Sequence, residues 1–147
     1  LNRSFLSAKD IMIASNISVK VRPTVVAGMF YPKHEKELRN TIQNYLKSAG
    51  EAESELKIAL GEITTIRMLI VPHAGYIYSG KTAAFAYQFL HKLKNKIRRV
   101  VLLGPAHRFW LKGAALPGVD SFQTPLGLIT LNSELIEKIL DDYSWIN

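Results

Sequence analysis

Two histidines stand just past the apolar runs that predict buried strands. His73 lies two residues beyond Val71, and His107 lies four residues beyond Leu103. In open α/β sheets, ligands bind past the carboxyl ends of the strands, and neighbouring strands are only about 4.8 Å apart. Imidazole nitrogens are ligands for zinc, iron and copper. The sequence therefore predicts that both histidines meet at one rim of a sheet, in a metal site or a small-ligand site.

A complete metal site is not predicted from these residues alone. Catalytic metals usually have three protein ligands, and the chain has no cysteine that could supply a thiolate. Each histidine could instead be a loop residue whose ring is satisfied by backbone hydrogen bonds. His34 and His91 have charged flanks and are expected at the surface. The pattern leaves both an enzyme and a non-catalytic binding module open.

A phosphate-binding pattern overlaps the first histidine loop. Residues 75–82 read G-x-x-x-x-G-K-T between a predicted strand and a predicted helix, as in a P-loop. Lys81 would then reach phosphate oxygens and Thr82 a magnesium ion. The bulky Tyr-Ile-Tyr interior and the lack of a strand that ends in an acid argue against this interpretation. Nucleotide binding is the least favoured of the candidate functions.

Three more side chains are candidates for the lining of the cleft. Tyr76 and Tyr78 could hydrogen-bond a substrate, although tyrosine also packs well in a core, where one of the pair is expected. Arg108 follows His107 directly and would make the cleft basic. A peptide or a small acid is the ligand that such a cleft would suit if the chain is a binding module.

The elements that position these residues predict an α/β fold. Residues 66–71 and 99–103 suit buried parallel strands, and a helix over about 81–93, with Ser79 as its N-cap, would connect them by a right-handed crossover. The other predicted elements are an apolar segment at 21–32, a helix at 35–47, a polar connection at 50–61, strands at 114–116 and 128–131, a turn at 122–127, and a helix at 133–140 capped by Asn132.

Composition narrows the function classes. The chain has 147 residues, of which 48% are hydrophobic, and a net charge of +7. The basic run at 91–99 closes a predicted helix, where cations complement the helix dipole, so nucleic-acid binding is not expected. No apolar run approaches a membrane span and no signal peptide is evident, so a cytoplasmic location is expected. Residues 1–20 are predicted to be a flexible extension, and 21–147 a domain.

Four strings in order resemble one family, the MEMO-like proteins, also known as component B of the AmmeMemoRadiSam system. The strings are Arg22-Pro-Thr-Val-Val-Ala-Gly-Met-Phe-Tyr-Pro32, Val71-Pro-His-Ala-Gly-Tyr-Ile-Tyr-Ser-Gly80, Leu103-Gly-Pro-Ala-His107 and Phe122-Gln-Thr-Pro-Leu-Gly127. The resemblance implies a three-layer α/β fold, with a parallel or mixed sheet between flanking helices, similar to class III extradiol dioxygenases of the LigB type. It implies that this chain is an incomplete, N-terminal half of such a domain.

The same resemblance implies a metal site. His73 and His107 correspond to the family's two N-terminal metal-site histidines, with Fe²⁺, or else copper or zinc, as the expected ion. Ala106 stands where serine is common in the family, and Arg108 where a second histidine often occurs. The remaining site residues lie in the family's second half, so this chain is expected to hold an incomplete and inactive site. A truncated sheet would expose an apolar edge, which predicts self-association.

Overall fold

The structure is a computed structural model that describes residues 18–51 and 65–146. The helices of these residues are α1 (Glu35–Glu51), α2 (Tyr76–Leu93) and α3 (Ser133–Asp142), and the strands are β1 (Val21–Arg22), β2 (Ser121–Thr124) and β3 (Gly127–Thr130). The strands form one mixed sheet in the order β1-β2-β3. The predicted α/β class is confirmed. None of the helices in these residues combines the length and the hydropathy that a membrane span requires.

Backbone contacts divide the chain into two compact units. The helical unit comprises the described residues 24–51, 65–110 and 124–127, with α1, α2 and both candidate histidines. The sheet unit comprises the described residues 18–23, 111–123 and 128–146, with β1, most of β2 and β3, and α3. Most of the predicted extension at 1–20 and of the predicted connection at 50–61 lies outside the described residues.

In the helical unit, α1 and α2 pack closely against each other. Leu38, Ala49 and Ala84 are the buried apolar residues of the described chain. Gly80 permits the close approach, because a Cβ at this position would lie 2.5 Å from Cε2 of Tyr45. Glutamates in the first turn of α1 suit the positive end of the helix dipole. The predicted helix at 35–47 is therefore confirmed, with one more turn at its C-terminal end.

Helix α2 begins five residues earlier than predicted. Gly75 occupies the N-cap position, and no side chain caps the helix. Ser79 lies inside the first turn, where its hydroxyl donates to the carbonyl oxygen of Ala74 at 2.9 Å, so its predicted N-cap role is wrong. The P-loop interpretation is wrong for the same reason: residues 76–82 are helical, so they do not form a loop whose amides could surround a phosphate.

The two predicted buried strands are not formed in the described residues. Neither 66–71 nor 99–103 is part of the sheet. Most of their side chains are exposed, with Ile70 at 89%, Val101 at 75% and Leu103 at 86% of full exposure. Ile66, Leu69 and Val71 are half-buried. An apolar run shows that a segment favours burial, but a ladder also needs partner strands. No described strand pairs with either segment, and the predicted strand–helix–strand unit is reduced to its helix.

The sheet unit joins distant parts of the chain. Strand β1 pairs in parallel with β2, Val21 opposite Ser121 and Arg22 opposite Phe122. The backbone N–H of Lys20 donates to Oδ2 of Asp120 at 2.7 Å. The guanidinium carbon of Arg22 lies 5.5 Å from the centroid of the Phe122 ring, within the range of a cation–π contact. These contacts fix the register of the short parallel pair.

The remaining predictions fall in the C-terminal part of the described chain. Helix α3 is confirmed, and Oδ1 of its N-cap Asn132 accepts from the N–H of Leu135 at 2.9 Å. The strand predicted at 128–131 is confirmed within a residue as β3. The turn predicted at 122–127 is limited to residues 125–126, because β2 continues to Thr124. Ala114 forms only an isolated bridge, with Ile146, instead of the strand predicted at 114–116.

Candidate functional site

The rings of His73 and His107 lie together, as the sequence predicts. Their centroids are 5.2 Å apart and their planes are inclined by 39°. Both side chains are exposed, so burial in a core does not explain the contact. If one ion lies about 2.0–2.1 Å from one nitrogen of each ring, and its two bonds to the rings form a tetrahedral angle, the ring centroids lie about 5 Å apart. The observed separation therefore suits two ligands of one ion.

The loop that carries His73 is fixed on its C-terminal side by the turn at 26–30. The N–H of Tyr76 donates to the carbonyl oxygen of Phe30 at 2.7 Å. Gly75 is buried against the same residue, and a Cβ there would lie 3.4 Å from the Phe30 oxygen. Helix α2 consequently begins at a defined position, three residues after His73.

Ser79 forms a second tie to this loop. Its side chain is buried, with 7% of full exposure. The hydroxyl lies 2.9 Å from the carbonyl oxygen of Ala74 and 3.4 Å from that of Gly75. A serine in a helix commonly bonds the carbonyl four residues before it, but here the shorter distance leads to Ala74, five residues before and next to His73.

Tyr76 is the inward-facing member of the tyrosine pair. Its ring centroid lies 5.8 Å from that of Tyr31, and its carbonyl oxygen accepts from the hydroxyl of Tyr45 at 3.2 Å. Burial raises the pKa of the Tyr76 phenol above 10.0, and the nearby phenols of Tyr87 and Tyr31 raise that pKa further. Tyr78 is 80% exposed, so Tyr76 is the member of the pair that packs inside, as expected for one of the two tyrosines.

The segment that carries His107 is held much less firmly. His107 lies in a bend at 107–109, and all side chains from Val100 to Trp110 are exposed. Arg108 is among them, and in the part of the chain described here no salt bridge or hydrogen bond joins it or Tyr78 to either imidazole. The structure brings the two histidines together, while Tyr78 and Arg108 remain surface candidates.

The residues present fit half of a metal site. Within residues 18–51 and 65–146, no group of three or more histidine, cysteine, aspartate or glutamate side chains is placed to hold an ion. Two imidazoles can bind an ion and leave its other coordination positions open to water, to a substrate or to further ligands. The incomplete site that the family resemblance implies stays a prediction.

The sequence did not reveal what three residues around the His73 loop contribute to it. Phe30 contributes only its backbone oxygen, which no side-chain pattern reveals. Tyr45 lies within the helix predicted at 35–47, and its contact with Gly80 depends on how two helices cross. Ser79 was singled out, but as a helix cap. Gly75 was the signal for the true start of α2, because glycine can itself occupy an N-cap position.

Comparisons with known proteins show which family the chain is similar to. Residues 22–146 match the family model "Memo-like protein". The MEMO1 family protein of Aquifex aeolicus is 38% identical over 122 residues, which cover 83% of this chain and 40% of that protein. MEMO1 family protein MHO1 of Saccharomyces cerevisiae is 33% identical over 123 residues, or 83% of this chain and 34% of that protein. The chain thus spans well under half the length of these relatives.

Proposed function

The chain belongs to the Memo-like family, and from this premise we propose that His73 and His107 together bind one divalent metal ion, ferrous iron in particular. The separation of 5.2 Å between the two ring centroids carries the proposal. Two imidazole ligands and no thiolate select a borderline ion such as iron, zinc or copper over calcium or magnesium, which prefer oxygen ligands.

The two imidazoles perform a limited task in this proposal. Each supplies a nitrogen lone pair, and the exposed position of both rings leaves the rest of the coordination sphere accessible. Bound iron would supply redox and Lewis-acid chemistry, as in the extradiol dioxygenases that the family resembles. With two ligands from this chain, we expect weak and reversible binding. A complete site, and an O₂-dependent or other redox reaction, is proposed for the whole protein.

A metal titration of the 147-residue chain tests the proposal. Equilibrium dialysis against Fe²⁺ without oxygen, and against Zn²⁺, should show one bound ion per chain. His73→Ala and His107→Ala should each weaken binding by at least about tenfold, since loss of an outer-shell partner alone costs about 10–100-fold. His34→Ala is the matched control, because it removes an exposed histidine at the start of α1 and should change nothing.

The same titration separates the proposal from a non-catalytic binding module. If the two variants bind as much metal as the wild-type chain, the rings of His73 and His107 are not ligands. A peptide or small acid captured by the exposed surface near Arg108 would then be the better explanation of the site.

A further inference from the structure

We propose that Ser79 is a positioning residue that fixes the direction of the His73 imidazole. This inference rests on the proposed metal site. The buried Ser79 hydroxyl donates to the carbonyl oxygen of Ala74 at 2.9 Å, and Ala74 follows His73 directly. The bond ties the peptide unit between Ala74 and Gly75, the second peptide unit after His73, to the first turn of α2. The bond therefore restricts the backbone one residue after His73, and with it the directions that the His73 ring can take.

The hydrogen bond from Ser79 differs from the other hydrogen bonds around this loop in the residue that it holds. The bond from Tyr76 N–H to Phe30 and the bond from Tyr45 to the Tyr76 carbonyl both hold residue 76, the first residue of the helix. Only the Ser79 hydroxyl reaches back to Ala74 among the hydrogen bonds of the described residues. Removal of that hydroxyl should leave α2 in place and release the loop before it.

Among the described residues, the other hydrogen bond of the Ser79 hydroxyl is the longer one, 3.4 Å, to the carbonyl oxygen of Gly75. The N-cap position belongs to Gly75, and no side chain caps the helix. A serine hydroxyl within a helix stabilises it little, and helix propensity favours alanine at such a position. A buried serine that bonds a loop carbonyl is thus better explained by the loop than by the helix.

The direction of the His73 ring is important because His107, the other proposed ligand, is poorly held. The segment around His107 is exposed throughout, so it offers little to hold its own ring in place. The geometry of the pair then depends mainly on the better-held histidine. Partners that orient metal ligands typically contribute about 10–100-fold to metal affinity. We expect Ser79→Ala to weaken Co²⁺ or Fe²⁺ binding by about tenfold or more.

The experiment is a Co²⁺ titration of the full chain followed by visible absorption, which reports both affinity and ligand geometry. Ser79→Ala is compared with an isosteric pair: Ser79→Thr keeps the hydroxyl, and Ser79→Val places a methyl group there. Thr82→Val is the matched control, since it deletes an exposed hydroxyl from the same helix. Far-ultraviolet circular dichroism reports whether α2 is retained in every variant.

Three outcomes are decisive. Weaker binding and an altered Co²⁺ spectrum in Ser79→Ala and Ser79→Val, with recovery in Ser79→Thr and unchanged helix content, support the positioning role. If His73→Ala abolishes binding but Ser79→Ala and Ser79→Val leave it unchanged, this inference is overturned and the proposed metal site is retained. Wild-type binding that does not depend on His73 overturns the metal site and this inference together.

Discussion

The imidazole of His73 lies 5.2 Å from that of His107, centroid to centroid, although no sheet hydrogen bonds join the segments that carry them. If one ion bridges the two rings, the two residues act as a unit. The double variant His73→Ala/His107→Ala should then lose less binding free energy than the sum of the two single losses, because effects within one site are not additive. Equilibrium dialysis measures this. Additive losses would mean that each ring binds its own ion.

Gly80 should be intolerant of even one methyl group. In Gly80→Ala the new Cβ would lie 2.5 Å from a Tyr45 ring carbon, so overpacking should lower the free energy of unfolding by about 1–3 kcal/mol. Gly50→Ala is the control, since its nearest neighbour would be 3.9 Å away, and helix propensity should raise stability by about 0.5–1 kcal/mol. Chemical denaturation measures both. A Gly80→Ala variant that is stabilised like Gly50→Ala would contradict the close packing.

The N-cap of α3 should contribute measurably to stability. Asn132→Ala removes the acceptor for the Leu135 N–H and should lower the free energy of unfolding by about 1 kcal/mol. Asn132→Asp keeps an acceptor at the same position and should retain most of the stability. The two variants can be compared by thermal unfolding followed by circular dichroism. Equal stability of the two would show that the cap is not used.

Tyr76 should make the fold sensitive to alkaline pH. Burial raises the pKa of its phenol above the ordinary value of 10.0, so the folded chain holds this proton more tightly than the unfolded chain does. That contribution to stability is present below pH 10 and is lost as the pH rises through the raised pKa. The free energy of unfolding should fall across this window, and fall less in Tyr76→Phe. Tyr78→Phe, which removes an exposed phenol, should behave like the wild-type chain.

The exposed apolar run at 100–103 should cause self-association. Its four side chains are 75–86% exposed, and unpaired apolar segments readily pair with other chains. Leu102→Lys should shift the chain toward monomer in sedimentation measurements at equal concentration. Thr82→Lys adds the same charge to an exposed site on α2 and should leave the association unchanged. A wild-type chain that sediments as a single monomeric species would contradict this prediction.

The sequence predicted best those features that depend on neighbouring residues. Asn132 and the amphipathic residues after it placed α3 correctly, because a cap and its helix lie within a few residues of each other. The pairing of His73 with His107 was also predicted, from the expected crossover between two strands. The rings meet as expected, but the strands that were to bring them together are absent from the described residues.

The errors have identifiable physical causes. Ser79 was assigned as a cap because serine favours that position, whereas its hydroxyl bonds a carbonyl on the other side of Gly75. The apolar run at 100–103 was assigned to a buried strand because its composition favours burial, but a ladder depends on partners that composition does not reveal. The inward position of Tyr76 depends on Tyr31 and Tyr45, which approach it only in the folded chain.

The parallel pair of β1 and β2 sets an order of events during synthesis. Lys20 meets Asp120, a partner 100 residues further along the chain. A ribosome that adds about 5–20 residues per second needs about 5–20 seconds to extend the chain from one partner to the other. During that time β1 cannot pair with β2, while α1 and α2 can already pack against each other. The emerging chain should therefore acquire its helical unit before its sheet.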